Sequence, residues 1–151
     1  MKKLFLANYN KIIAFCLTLL GFATACTDMF PGSEYGVPHA DFIINGSVKS
    51  EINSSTIKNI RVIMADTSSH YVYSDTCFTD LNGNYTVKLV AFPDDQVFKI
   101  NLQDIDGVAN GQYQTLDTLV EFKNPVFTGG GKHWYNGSTQ KVLNLNMKAK
   151  L

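Results

Sequence analysis

Two carboxylates and an amide fall close together in Asp104-Ile105-Asp106-Gly107-Val108-Ala109-Asn110. Side-chain oxygens of this kind are the hard ligands that calcium prefers, and they are equally the acceptors that hold the backbone N–H groups of a turn. The spacing is not that of an EF-hand, because Gly107 comes too early and Thr115 stands where the bidentate glutamate would fall. Asp104 shares the strand parity of Phe98, Ile100 and Leu102, which sets its carboxylate at the rim of a core. A charge there must be satisfied by nearby N–H groups and Asn110 or by a cation. The expectation is turn capping by Asp104, Asp106 and Asn110. Calcium is the alternative, and no other cofactor is expected.

A second candidate is the aromatic pair Trp134-Tyr135, which follows the run Gly129-Gly130-Gly131-Lys132-His133. The glycines lack the strand-to-helix setting and the Lys-Ser/Thr ending of a phosphate loop. Trp134 and Tyr135 on a loop would suit a sugar or a protein partner. The competing reading is that Trp134 folds back over the open end of the domain, and its large apolar area favours that reading. His39, His70 and His133 lie in separate segments without metal-ligand pairing, and no Gly-x-Ser-x-Gly element is present. The expectation from these absences is a non-enzymatic protein.

The elements that must carry these residues begin after an export signal. Lys2, Lys3 and Lys11 precede an apolar core at residues 12–22, and 11 residues are too few to span a bilayer, which takes about 20. Ala23-Thr24-Ala25-Cys26 then resembles a bacterial lipobox, with Cys26 as the acylated mature N-terminus and the membrane as its partner through that anchor. Residues 1–25 are thus read as signal peptide, 26–40 as lipidated N-terminus and tether, and 41–151 as one domain. The dozen residues at 27–38 contain Pro31, Gly32, Gly36 and Pro38 and reach about 40 Å at most. With Cys16 removed and Cys26 acylated, Cys77 is alone and reads as a small buried hydrophobe.

Within the domain, Asn82-Gly83 is the strongest turn signal, since a type I′ hairpin needs positive φ at two successive residues. Tyr85, Val87 and Leu89 then alternate with polar residues in the period of a half-buried strand. Further segments at 42–49, 57–64, 71–79, 97–103, 114–122 and 142–147 follow the same rule. Seven short strands joined by polar turns, with no helical periodicity after Cys26, predict an all-β, single seven-stranded Ig-like or transthyretin-like sandwich. The stretch from Thr128 to Gly137 shows no alternation and reads as irregular.

Ile57-Lys58-Asn59-Ile60-Arg61-Val62 followed by Thr79-Asp80-Leu81-Asn82-Gly83-Asn84-Tyr85 resembles the carboxypeptidase regulatory-like β-sandwich. Tyr35-Gly36-Val37-Pro38-His39-Ala40-Asp41-Phe42, the 104–111 loop and the lipobox together are similar to the radical-SAM-associated lipoproteins of Bacteroidetes. That resemblance implies a genomic neighbour and an envelope location, and no reaction. Removal of three lysines with the signal leaves ten basic against thirteen acidic residues, which argues against nucleic acid as a partner. The expected function is a lipid-anchored cell-envelope sandwich, at the outer membrane, that binds an envelope protein or glycan. The alternative is a glycan- or calcium-binding accessory domain using the 104–110 loop together with Trp134 and Tyr135.

Overall fold

The computed structural model describes Tyr9 and residues 11–16, 36–67 and 73–150. The chain divides into two units, Met1–Tyr35 and Gly36–Leu151. In the first, Tyr9 and residues 11–16 are helical, and no described helix is long and apolar enough to cross a membrane. Cys26, His70 and the tether up to Tyr35 lie outside the described residues.

The second unit is a sandwich of two sheets. Its strands are β1 (His39–Ser50), β2 (Ile60–Asp66), β3 (Ser74–Phe78), β4 (Asn84–Ala91), β5 (Gln96–Asp104), β6 (Leu116–Phe122), β7 (Thr128–Lys132), β8 (Tyr135–Val142) and β9 (Leu145–Met147). One sheet has the order β4-β1-β8-β7, with β9 also on β1, and the other has the order β3-β2-β5-β6. All-β is the observed class, with nine described strands where seven were expected.

Alternation builds the core. Ala40, Phe42, Ile44 and Val48 of β1 face Val62 and Met64 of β2 and Phe98, Ile100 and Leu102 of β5, all fully buried. Phe42 is the hub, with ring centroids 5.3 Å from Phe98, 5.1 Å from Phe122 and 5.6 Å from Phe127. Burial of such rings supplies about 1.5–3 kcal/mol apiece before any specific ring geometry is counted. The outer face of the second sheet is polar instead, with a ladder from Arg61 through Gln103 and Asn101 to Asp117.

Strand β1 also pairs in parallel with β8 and then β9, and the ladder is interrupted at Leu143 and Asn144. The Asn144 side chain fills the gap by accepting from the Ser47 backbone N–H at 2.9 Å. Gly46 is what lets the interruption come close, since a Cβ there would lie 1.8 Å from the Leu143 carbonyl oxygen.

Two expectations are corrected here. The stretch from Thr128 to Gly137, read as irregular, forms β7, a turn and the start of β8. Its glycines hide the strand because they carry no side chain to alternate. The turn at Asn82-Gly83 exists, but it does not make a hairpin. Only Gly83 has positive φ, at 74°, and β3 pairs with β2 while β4 pairs with β1. The turn is an arch that carries the chain from the edge of one sheet to the edge of the other. Asp80 holds it, its Oδ1 accepting from the N–H of Asn82 and of Asn84, both at 2.8 Å.

Candidate functional site

Because the connections at 51–59, 79–83 and 105–115 all leave the same ends of their strands, they share one end of the sandwich. The chain enters at the other end, where Gly36, residues 92–95, 123–127 and the turn at 133–134 gather. Strand β1 alone is 12 residues long, so the ends stand about 36 Å apart.

At the far end, the loop after β5 is organised by its carboxylates. Asp104 accepts from the Tyr113 backbone N–H through Oδ2 at 2.8 Å and from the Asp106 N–H through Oδ1 at 3.3 Å. Asp106 Oδ2 accepts from the side-chain amides of Asn59, at 3.1 Å, and of Asn110. Those amides, Asn59 foremost, hold the Asp106 carboxyl below its ordinary value. Asn110 therefore serves Asp106 and not Asp104, which its own backbone partners satisfy. Donors already point at three of the four carboxylate oxygens, and among the described residues no three His, Cys, Asp or Glu side chains converge as a metal site. The arrangement is that of a capped turn.

Beside this loop a groove of about 600 Å³ opens, lined by Lys58, Asn59, Asp80, Leu81, Asp106 and Asn110. Thr79 closes its floor. Its buried Oγ1 accepts from the Ile60 N–H at 2.9 Å and donates to the Ile57 carbonyl at 2.8 Å, tying the arch to the loop before β2. Leu81, 82% exposed, stands on the arch at the groove's edge.

Trp134 and Tyr135 sit at the opposite end. Trp134 does not close over the core: it is 41% exposed, lies against Gly36, and its carbonyl accepts from the His39 N–H at 3.0 Å. The Tyr135 ring lies 5.5 Å from that of His39, and its hydroxyl donates to Asp41 Oδ2 at 3.2 Å, the oxygen that Lys88 also reaches at 3.3 Å. Desolvation, then the Asp41 carboxylate, pushes the Tyr135 phenol up. The aromatic pair and the 104–110 loop, grouped in the sequence as one accessory site, are thus two places.

No family model matches the sequence, and no curated protein does. Solved structures do. A chlorocatechol 1,2-dioxygenase from Pseudomonas putida shares the fold at TM-score 0.51 and 14% identity, over 76% of this chain. This chain spans 62% of the length of that dioxygenase. The major plantain pollen allergen Pla l 1 aligns at TM-score 0.46 and 21% identity, over 73% of this chain and 94% of its own. BcpA, the major pilin subunit of Bacillus cereus, aligns at 0.44 and 15%, over 74% and 31%.

The likeness to the dioxygenase overturns the expectation of a non-enzymatic protein. A scaffold shared with an enzyme means that the lack of a contiguous catalytic motif gives no ground for excluding catalysis.

Sequence reasoning missed Asn59, whose positive φ of 62° aims its amide at a residue far along the chain. Nothing local marks it. Asp41 and His39 were equally silent as partners of Tyr135, because the parallel pairing of β1 with β8 that joins them has no turn signature.

Proposed function

We propose that the protein is a lipid-anchored module of the cell envelope, held at the outer membrane through Cys26, that acts by recognition through the loops at the far end of its sandwich. The observation that carries this is the groove between the arch and the 104–110 loop. It is built from both sheets, its polar groups are fixed in place by Asn59, Asp80 and Thr79, and it opens at the end opposite Gly36. A ligand meeting such a groove finds side chains already ordered, which lowers the entropic cost of binding. Leu81 adds an exposed apolar contact at the groove's margin. The similarity to the radical-SAM-associated lipoproteins and the lipobox at Ala23-Thr24-Ala25-Cys26 support the anchored location.

The test is site-specific photocrosslinking in intact cells. A photoreactive residue at Leu81 or Val108 is expected to capture a discrete envelope component, and the same residue at Leu119, on the face of β6, is not. Equal capture from all three positions, or none from Leu81 and Val108, overturns the reading. Cys26→Ser is expected to move the protein to a soluble fraction or leave an uncut precursor. Continued lipid incorporation would refute the anchor.

A further inference from the structure

The end of the sandwich at which the chain enters carries its own set of exposed apolar side chains. Val37 lies next to Gly36, Tyr73 ahead of β3, Phe92 after β4, Val126 before β7 and Trp134 in the turn before β8. They come from five separate segments. The far end also shows apolar tips, Ile52, Leu81, Ile105 and Val108, but these are all aliphatic. Among the described residues the exposed aromatics on the connecting segments, Tyr73, Phe92 and Trp134, belong to the entry end, while Phe78 stands exposed as the last residue of β3 at the far end.

We infer that this rim seats in the surface of the lipid bilayer. The inference rests on the anchored reading proposed above, and it adds which face of the domain meets the membrane and how. Nine residues separate Cys26 from Gly36, so the ten steps between them reach about 35 Å at full extension, and an acylated Cys26 keeps this end the nearer one to the lipid. Trp and Tyr favour the headgroup region because a ring with one polar edge satisfies both the apolar and the wet side of that layer. The charges on the rim fit a shallow seat. Asp95 is occupied by the Asn124 N–H at 2.6 Å and Asp94 by that of Asp95 at 2.8 Å, Lys123 is paired with Glu121 Oε2 at 3.0 Å, and Lys132 adds an ammonium group to the turn that holds Trp134. The acylated Cys26 then fixes position and the rim fixes orientation, which turns the far groove outward.

Trp134 is the only tryptophan in the chain, so its fluorescence reports on this rim alone. The acylated protein is reconstituted in vesicles of phosphatidylethanolamine and phosphatidylglycerol and recovered by flotation. The expected result is a blue-shifted emission, quenching by lipids brominated near the head of the acyl chain, and acrylamide quenching about twofold weaker than for the Cys26→Ser protein in buffer. Replacing Val37 and Phe92 together by Ser is expected to weaken the lipid quenching while flotation persists. Protein that floats with the emission and acrylamide access of the soluble form overturns the seated rim and leaves the anchor standing. Protein that does not float overturns both. Shielding of Trp134 that requires an added envelope protein assigns the rim to a protein partner and likewise overturns the proposal.

Discussion

Asn59 and Asp106 are joined across 47 positions of sequence, the Asn59 amide donating to Asp106 Oδ2 at 3.1 Å. One residue belongs to the connection before β2 and the other to the loop after β5, so this bond ties together two of the segments that line the groove, while the bond from Asn110 braces Asp106 from within its own loop. Charge assistance makes both of these bonds stronger when the Asp106 carboxylate is ionised.

From this follows a pH dependence with a definite sign. The folded state holds the Asp106 carboxyl below its ordinary value of 3.8, so the unfolded chain binds the proton first as pH falls. The contribution is complete above about pH 4 and is lost as pH drops through the lowered folded value. A carboxyl-detected NMR titration checks this, with the Asp106 midpoint expected to rise in Asn59→Ala. A midpoint at or above the ordinary value in the parent protein would contradict the geometry.

Gly83 is fixed twice over. Its φ of 74° disfavours a side chain, and a Cβ would lie 2.8 Å from the Val48 carbonyl oxygen. Gly83→Val is expected to destabilise by about 1–3 kcal/mol, read as a fall in denaturation midpoint at unchanged slope. An unaltered midpoint would mean that the arch has room that the backbone does not show.

For Thr79 the chemistry separates shape from bonding. Thr79→Val keeps the volume but leaves the buried Ile60 N–H without its acceptor, an expected loss of about 1–3 kcal/mol. Thr79→Ser keeps the hydroxyl and should retain most of the stability. Equal losses from the two would assign the effect to packing.

Cys77 lies half-buried on β3, and burial pushes its thiol above the ordinary 9.0, with the Thr86 backbone opposing this. Thiolate is the reactive form, so labelling by a maleimide at neutral pH is expected to be slow in the folded protein and to accelerate in denaturant. Fast labelling under native conditions would show that the β3 edge opens.

Much of this architecture is legible in the sequence, and the illegible parts have a common cause. Tyr85, Val87, Ile100 and Leu102 announce their strands because each sits between polar neighbours, and all are buried. The strands β7 and β8 are silent, since Thr128-Gly129-Gly130-Gly131 has nothing to alternate and β8 buries only Gly137. Their strand character comes from pairing with each other and with β1. The Asn82-Gly83 signal marks a reversal of the chain but cannot say whether the two arms meet in one sheet or pass to opposite sheets. At the candidate site the capping role of Asp104 could be read from its parity and the glycine that follows. Asn59 could not, because its partner is supplied by the fold.

The parallel pairing of β1 with β8 and β9 sets His39 beside Tyr135 and Ser50 beside Met147. The first strand of the domain therefore waits for the last. Until residues 135–147 are present, β1 has only β4 beside it, and Phe42 and Ile44 sit in a sheet open along one edge. Contacts of this sequence separation are made late and slowly, because a long loop must close before they are formed. A chain emerging from N- to C-terminus consequently cannot complete this sheet until residues 135–147 have been made.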